Sequence, residues 1–230
     1  MKNIVVLTGA GMSAESGVKT FREAGGLWEG YDVLEVASPE GWRKNKALVL
    51  DFYNQRRAQL LKVKPNKGHL ALTELESQFD VDIITQNIDD LHERAGSTKV
   101  LHLHGELKKV RSELNEHLIT ETSESIFVGD LASDGQQLRP HIVWFGEEVP
   151  EMYKAIQITE KADIFIIIGT SMQVYPAANL INYAPSGIPV YFIDPNPSIS
   201  ERSFPNLKVI SENAGTGVPK VVTELLLKNA

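Results

Sequence analysis

Cysteine is absent from all 230 residues. That excludes disulfides, thiolate metal sites and any secreted scaffold built on cystine. Long apolar runs are absent too. Stretches such as Ile164 to Ile168 are far too short to cross a bilayer, so no membrane partner is expected. Positive charge is not in excess: 23 Lys and Arg stand against 30 Asp and Glu, a net −7, which argues against a broad nucleic-acid-binding surface. Met1-Lys2-Asn3 leads straight into a strand pattern with no signal-peptide architecture, so a soluble cytoplasmic protein is expected. At about 150 residues per domain, the length suits one domain with an insertion or two small ones. A chain this long buries roughly 70% of its unfolded surface and needs no staples.

What is present is an alternation. Ile4 to Leu7, Val81 to Thr85, Ile164 to Ile168 and Val190 to Ile193 are continuous apolar runs, which read as buried strands. Amphipathic stretches at Lys67 to Gln78, Pro150 to Lys161 and Gly217 to Leu227 read as helices. The alternation predicts an α/β fold, a Rossmann-like parallel sheet with a smaller inserted lobe. The sheet domain is assigned to residues 1–16, 63–106 and 140–230. The lobe is assigned to 17–62, a mobile loop plus a helical module, and to 107–139, which is polar and without strong periodicity.

In open α/β sheets, ligands bind beyond the carboxyl ends of the strands. Here those ends carry Gly9-Ala10-Gly11-Met12-Ser13-Ala14, Gln86-Asn87-Ile88-Asp89, Gly169-Thr170-Ser171 and Asp194-Pro195-Asn196. Any one could be a plain turn; four together suggest a shared crevice. Gly9-x-Gly11-x-x-Ala14 matches the dinucleotide fingerprint, whose glycines let backbone N–H groups approach a pyrophosphate at a helix start. The second strand and the acidic residue that a dehydrogenase needs about 20 residues on do not follow. Ordinary hydride transfer is therefore disfavoured.

Val100 to Gly105 alternates, with His102 and His104 on one face and Leu101 and Leu103 on the other. A histidine is the natural general base near neutral pH. His102 reads as a structural, hydrogen-bonded residue. A His-x-His metal site would need further ligands, and none is signposted nearby except acids in the polar stretch 107–139, so no metal is expected. Lys46 to Leu61 reads as a helix with Val49, Phe52, Tyr53 and Leu60 on one stripe. Arg56 falls on that stripe beside Tyr53 and needs a partner, either a structural carboxylate or one on a substrate. Arg57 reads as solvated.

These residues resemble the sirtuins, NAD-dependent protein-lysine deacylases, over roughly Asn3 to Leu227. Gly9 to Ser13 with Gly17 to Arg22 resembles the cofactor-binding segment, and Thr85 to Asp89 with Leu91-His92 the nicotinamide and ribose motif. His104-Gly105 resembles the catalytic-base motif, Val143-Trp144-Phe145-Gly146-Glu147 the peptide-binding segment, and Gly169-Thr170-Ser171 with Val174-Tyr175-Pro176 the second nucleotide loop. The resemblance implies NAD as co-substrate and acyl-lysine proteins or peptides as partners. Gly9, Ala10, Gly11, Ser13, Phe21, Arg22, Gln86, Asn87, Asp89, Gly169, Thr170, Ser171 and Asp194 would bind the cofactor. His104, Asn87 and Asp89 would be catalytic, with His104 taking a proton from a ribose hydroxyl after nicotinamide leaves. Val143, Phe145, Gly146 and Val174 would pair with the substrate backbone.

Ala37, Tyr53 and Arg56 resemble the branch that removes acidic acyl groups, succinyl and malonyl as well as acetyl. There the small residue widens the acyl pocket, and Tyr and Arg hold the acyl carboxylate. The chain departs from the family by lacking the four cysteines that hold a structural zinc in most members, so no zinc is expected. Asp194 stands where many relatives have Asn. The alternatives weighed are a protein mono-ADP-ribosyltransferase on the same fold, a non-catalytic NAD or ADP-ribose binder, and a His-x-His metal hydrolase.

Overall fold

The computed structural model describes residues 1–19, 27, 28, 30–204 and 206–229, with 27 and 28 by backbone alone. In chain order the elements are β1 (Asn3–Thr8), β2 (Leu27–Trp28), β3 (Tyr31–Asp32), α1 (Val33–Val36), α2 (Pro39–Lys44), α3 (Lys46–Leu60), α4 (Lys67–Leu75), β4 (Asp80–Thr85), α5 (Leu91–Ala95), β5 (Val100–His102), β6 (Gly105–Ser112), β7 (Ile119–Glu121), β8 (Leu138–Ile142), α6 (Met152–Thr159), β9 (Ile164–Ile168), β10 (Val190–Ile193), β11 (Leu207–Ile210) and α7 (Ala214–Asn229).

Six strands form a parallel sheet in the order β11-β10-β9-β1-β4-β5. The four apolar runs all lie in it, because strands covered on both faces have no polar side to show. Val6, Ile83 and Ile166 pack on one face against Leu72 and Leu75 of α4 and Val218 and Val222 of α7. Leu7, Phe165 and Phe192 pack on the other against Ala155 of α6 and Leu180. The helix α4 opens on Asn66, whose side chain accepts from Gly68 N–H while the His69 ring accepts from Asn66 N–H, a reciprocal cap. It ends at Leu75, short of the expected Gln78. Strands β4 and β9 flank β1 on opposite sides, so the chain changes direction across the sheet at β1, where such folds open a crevice.

The stretch 107–139, expected to be irregular, contributes to a three-stranded antiparallel sheet in the order β7-β6-β8. An irregularity between Gly105 and Val110 breaks the alternation along β6, and β7 is wholly exposed. The two-residue period along β6 is split into two short halves out of phase, too brief for the sequence to display. This sheet packs through Leu107, Val110 and Ile142 on Phe52 and Tyr53 of α3.

That packing corrects the expectation for Arg57, which is buried rather than solvated. It lies on the shoulder of α3 facing the lobe sheet, donating Nε–H to Leu107 O at 3.0 Å and Nη1–H to Asn54 Oδ1 at 2.9 Å. Among the described residues no helix is long and apolar enough to cross a membrane.

Candidate active site at the strand ends

The loops after β1 and β9 meet backbone to backbone. Gly11 N–H donates to Gly169 O at 2.8 Å, and Gly9 N–H to Ile168 O at 2.9 Å. A Cβ on Gly11 would lie 2.6 Å from Gly169 Cα. Gly169 has φ 62, and a Cβ there would lie 2.4 Å from Met12 N, so only glycine fits. The first loop enters two 3-10 turns, Ala10–Met12 and Ala14–Ser16, rather than a long helix. Met12 and Ser13 N–H also donate within the loop. Fewer backbone donors therefore remain for a phosphate than the fingerprint implies, and the glycines serve loop contact first.

The β4 loop meets them. Asn87 Nδ2 donates to Gly9 O and to Ser13 Oγ, each at 3.1 Å, and Ser13 Oγ donates to Asp89 Oδ2 at 2.9 Å. A carbonyl only accepts, so the Gly9 bond fixes which way the Asn87 amide faces. Asp89 is buried, and its Oδ1 accepts from Leu91 N–H. Burial raises its pKa against the opposing Ser13 and Leu91 hydrogen bonds. Gln86 Nε2 donates to Thr170 Oγ1 at 3.1 Å, tying this loop to the one after β9. Asp194, at the end of β10, is buried and accepts from Asn196 N–H. Ser171 Oγ accepts from Gln173 N–H. Phe21 and Arg22 lie outside the described residues.

His104 is half-buried between β5 and β6, its Nδ1 3.0 Å from Gln86 O. The carbonyl cannot donate, so Nδ1 carries the proton and Nε2 presents a lone pair. Burial lowers the ring's pKa below its ordinary value, against the Gln86 bond. His102 has the opposite chemistry. Its Nδ1 faces Asn87 O at 3.0 Å and its Nε2 faces Glu93 Oε1 at 2.8 Å, two acceptors that call for a proton on each nitrogen. Burial opposes the charge, but Glu93 prevails and the pKa is raised. His102 is hydrogen-bonded on both nitrogens and holds Asn87, the structural role expected of it.

In the layer beneath, the motif resemblance covers Thr85 and His92 but gives no role to Thr8 or His69. Thr85 Oγ1 accepts from Asn87 N–H at 3.0 Å and from Thr8 Oγ1 at 2.8 Å, and Thr8 Oγ1 lies 3.1 Å from His92 Nε2. The fully buried His92 ring stands 4.9 Å from that of His69. Asn66 Nδ2 reaches back to Met12 O at 2.8 Å. Thr8 and Thr85 end the apolar runs of β1 and β4 and are buried with them.

At the lobe side, Phe145 N–H donates to Ala37 O at 3.0 Å, and Trp144 Nε1 donates to the Tyr53 hydroxyl at 3.0 Å. Val143 N–H donates to His104 O at 2.9 Å, joining this segment to the base. Val143 and Trp144 follow β8 without strand pairing, and Phe145-Gly146 is a turn with Gly146 at φ 90. Phe145 and Gly146 are exposed and Val174 is half-buried. The Arg56 guanidinium lies 4.5 Å over the Phe52 ring, near enough for its charge to act on Tyr53.

Comparison with known proteins gives one consistent answer. A model described as the Sir2 family matches residues 9–176. An "NAD-dependent protein deacylase" of Helicobacter pylori strain J99 is 56% identical over 226 residues, 98% of this chain and 96% of that protein. One from Bacteroides thetaiotaomicron is 56% identical over 227 residues, covering 96% and 97%. A solved Sir2 homolog–NAD complex superposes with a TM-score of 0.88 at 36% identity, covering 100% of this chain and 91% of that one. A Sir2 structure bound to acetylated peptide superposes with a TM-score of 0.79 at 26% identity, covering 98% and 94%.

Proposed function

The chain belongs to the Sir2 family and is an NAD-dependent protein deacylase, and from that premise we propose that it removes succinyl and malonyl groups, and also acetyl groups, from protein lysines. The observation that carries the acyl reading is a convergence on the 143–147 segment. Ala37 bonds to Phe145, Tyr53 bonds to Trp144, and Arg56 sits one helical turn beyond Tyr53. A small residue and a phenol bonded to that segment, with a guanidinium on the next turn of α3, suit an acyl chain that ends in a carboxylate.

The residues at the strand ends fit NAD. Close backbone contact at Gly9, Gly11 and Gly169 holds the loops after β1 and β9 together, and beside them Asn87, Asp89, Gln86 and Asp194 present an amide-and-carboxylate set suited to a carboxamide and ribose hydroxyls. NAD supplies, when bound, the activated ribose carbon that receives the acyl oxygen. The protein does the rest. Asn87, locked by Gly9 and Ser13, orients the carboxamide. Asp89, held by Ser13, backs that position. His104 Nε2 takes the proton of a ribose hydroxyl, its ring fixed by Gln86 O. The exposed Phe145 and the Val143 and Val174 backbones receive the peptide, in keeping with the relative solved with an acetylated one.

A panel of acyl-lysine peptides with and without NAD, read by mass, tests the reading. Succinyl-lysine peptide should turn over faster than acetyl-lysine peptide, and only with NAD. Equal rates would remove the carboxylate role of Tyr53 and Arg56.

A further inference from the structure

Tyr53 is fully buried on α3, and its hydroxyl has one hydrogen-bond partner among the described residues, Trp144 Nε1. An indole N–H can only donate. The phenol oxygen is therefore the acceptor, and its own proton has no acceptor among the described residues. An unspent buried donor is costly unless a ligand completes it. Burial also raises the phenol's pKa, so the proton stays on the oxygen at any ordinary pH.

The indole itself is clamped. The Arg139 guanidinium lies 3.4 Å over its ring, and Arg139 grips Glu147 with Nη1 at 2.8 Å and Nη2 at 3.1 Å. Glu147 Oε2 accepts from Trp144 N–H at 2.8 Å. Trp42 packs against the indole, with ring centres 5.7 Å apart.

We infer that Trp144 is a positioning residue for acyl selection: by donating to the Tyr53 oxygen it commits the phenol to donating its own proton to an acyl carboxylate beside Arg56. This rests on the acidic-acyl reading above. Without the indole N–H, the phenol oxygen is released to accept from the nearby guanidinium. An Arg56 N–H meant for the substrate would then be spent on the phenol oxygen. Arg139 and Glu147, on and after β8, hold the indole for this purpose without touching the acyl group.

The test is the ratio of kcat/KM for succinyl-lysine over acetyl-lysine peptide in a double-mutant cycle. Trp144→Phe should lower that ratio about tenfold, the worth of one hydrogen bond to a charged group. Tyr53→Phe should lower it similarly. The double variant should fall no further than Tyr53→Phe alone, because the indole acts through the phenol. A second tenfold fall in the double variant would overturn the inference, since a merely structural Trp144 loses its effect independently of Tyr53. Trp144→His keeps a ring N–H and closes the same cycle if Trp144→Phe does not fold. Its ratio should stay near that of the parent, and a ratio as low as Tyr53→Phe would overturn the inference. A parent enzyme indifferent to the acyl carboxylate would sink the acidic-acyl reading itself. A parent preference that Trp144→Phe leaves intact would sink this inference alone.

Discussion

Ile166 in the parallel sheet and Gln137 in the cysteine-free lobe are both buried, and each holds its region by a different force. Ile166 makes no polar contact through its side chain and packs among Val6, Ile83 and the faces of α4 and α7. Gln137 Nε2 reaches the carbonyls of Phe127, Asp130 and Leu138 at 3.0, 3.1 and 3.0 Å, and its Oε1 accepts from Gly129 N–H at 2.8 Å. Asn54 of α3 does similar work one layer in, bonding both N–H and C=O of Ile126. With no cysteine to hold a metal cross-link, this lobe uses side-chain amides that stand in for strand partners. The largely exposed stretch 113–137, beyond the packed Leu107, Val110 and Ile142, can be fixed by satisfying its backbone instead.

The site lies across the boundary between the two, and the largest effect comes from a change that should disturb neither. His104→Ala should cut turnover by about 10²–10⁴-fold, the usual reach of a general base, with NAD affinity by calorimetry and the melting temperature close to the parent's. Retained turnover would remove His104 as the base. The depressed pKa of His104 also gives a direction. The neutral ring is the active form, so the acid limb of kcat/KM should lie below pH 6.5, the ordinary histidine value, and not above it.

Next come changes that separate the two regions. Ile166→Ala should cost about 2–5 kcal/mol in urea unfolding through lost burial and a cavity, whereas the volume-conserving Ile166→Leu should cost under about 1.5 kcal/mol. Gln137→Leu is also close in volume, yet it should cost about 2–3 kcal/mol, because the carbonyls of Phe127, Asp130 and Leu138 lose a buried donor. If Gln137→Leu were as mild as Ile166→Leu, the lobe would be held by packing like the sheet, and the contrast would fail.

The same contrast decides what could be read beforehand. The apolar runs at Ile164 to Ile168 and Val190 to Ile193 became β9 and β10 with those bounds, because burial on both faces leaves a strong one-dimensional signature. The strand ends and His104 were legible through motif spacing. The helix α3 of the lobe was legible too, but the lobe sheet was not: its strands are half-exposed, β6 is irregular, and its fixed points are single polar residues whose partners are distant in sequence. Arg57 and Leu107 are 50 residues apart, and Tyr53 and Trp144 are 91 apart. Helical spacing placed Arg57 off the apolar stripe of α3, and only the second sheet shows why that side is buried.

The smallest effect probes the floor of the site, where the sheet's apolar layer gives way to histidines. His69 is pushed down to about 4, mainly by burial, and His92 is lowered well below its ordinary value by burial and by His69. Each ring is neutral when folded but takes a proton when unfolded above its folded pKa, so the unfolded state binds more protons. Their contribution is full above about pH 6.5 and falls as pH drops from there toward 4, by up to about 1.4 kcal/mol per pH unit for each ring. His102 does not share this slope, since its raised pKa keeps it charged in both states over most of that window. His69→Gln is the informative variant. Gln at that position can still receive Asn66 N–H and keep the cap of α4, so the cap survives while the titration goes. Urea unfolding from pH 4.5 to 6.5 should then show a shallower dependence on pH by close to one proton. An unchanged slope would mean that the ring is already charged when folded, and the neutral layer beneath Thr8 and Thr85 would have to be redrawn.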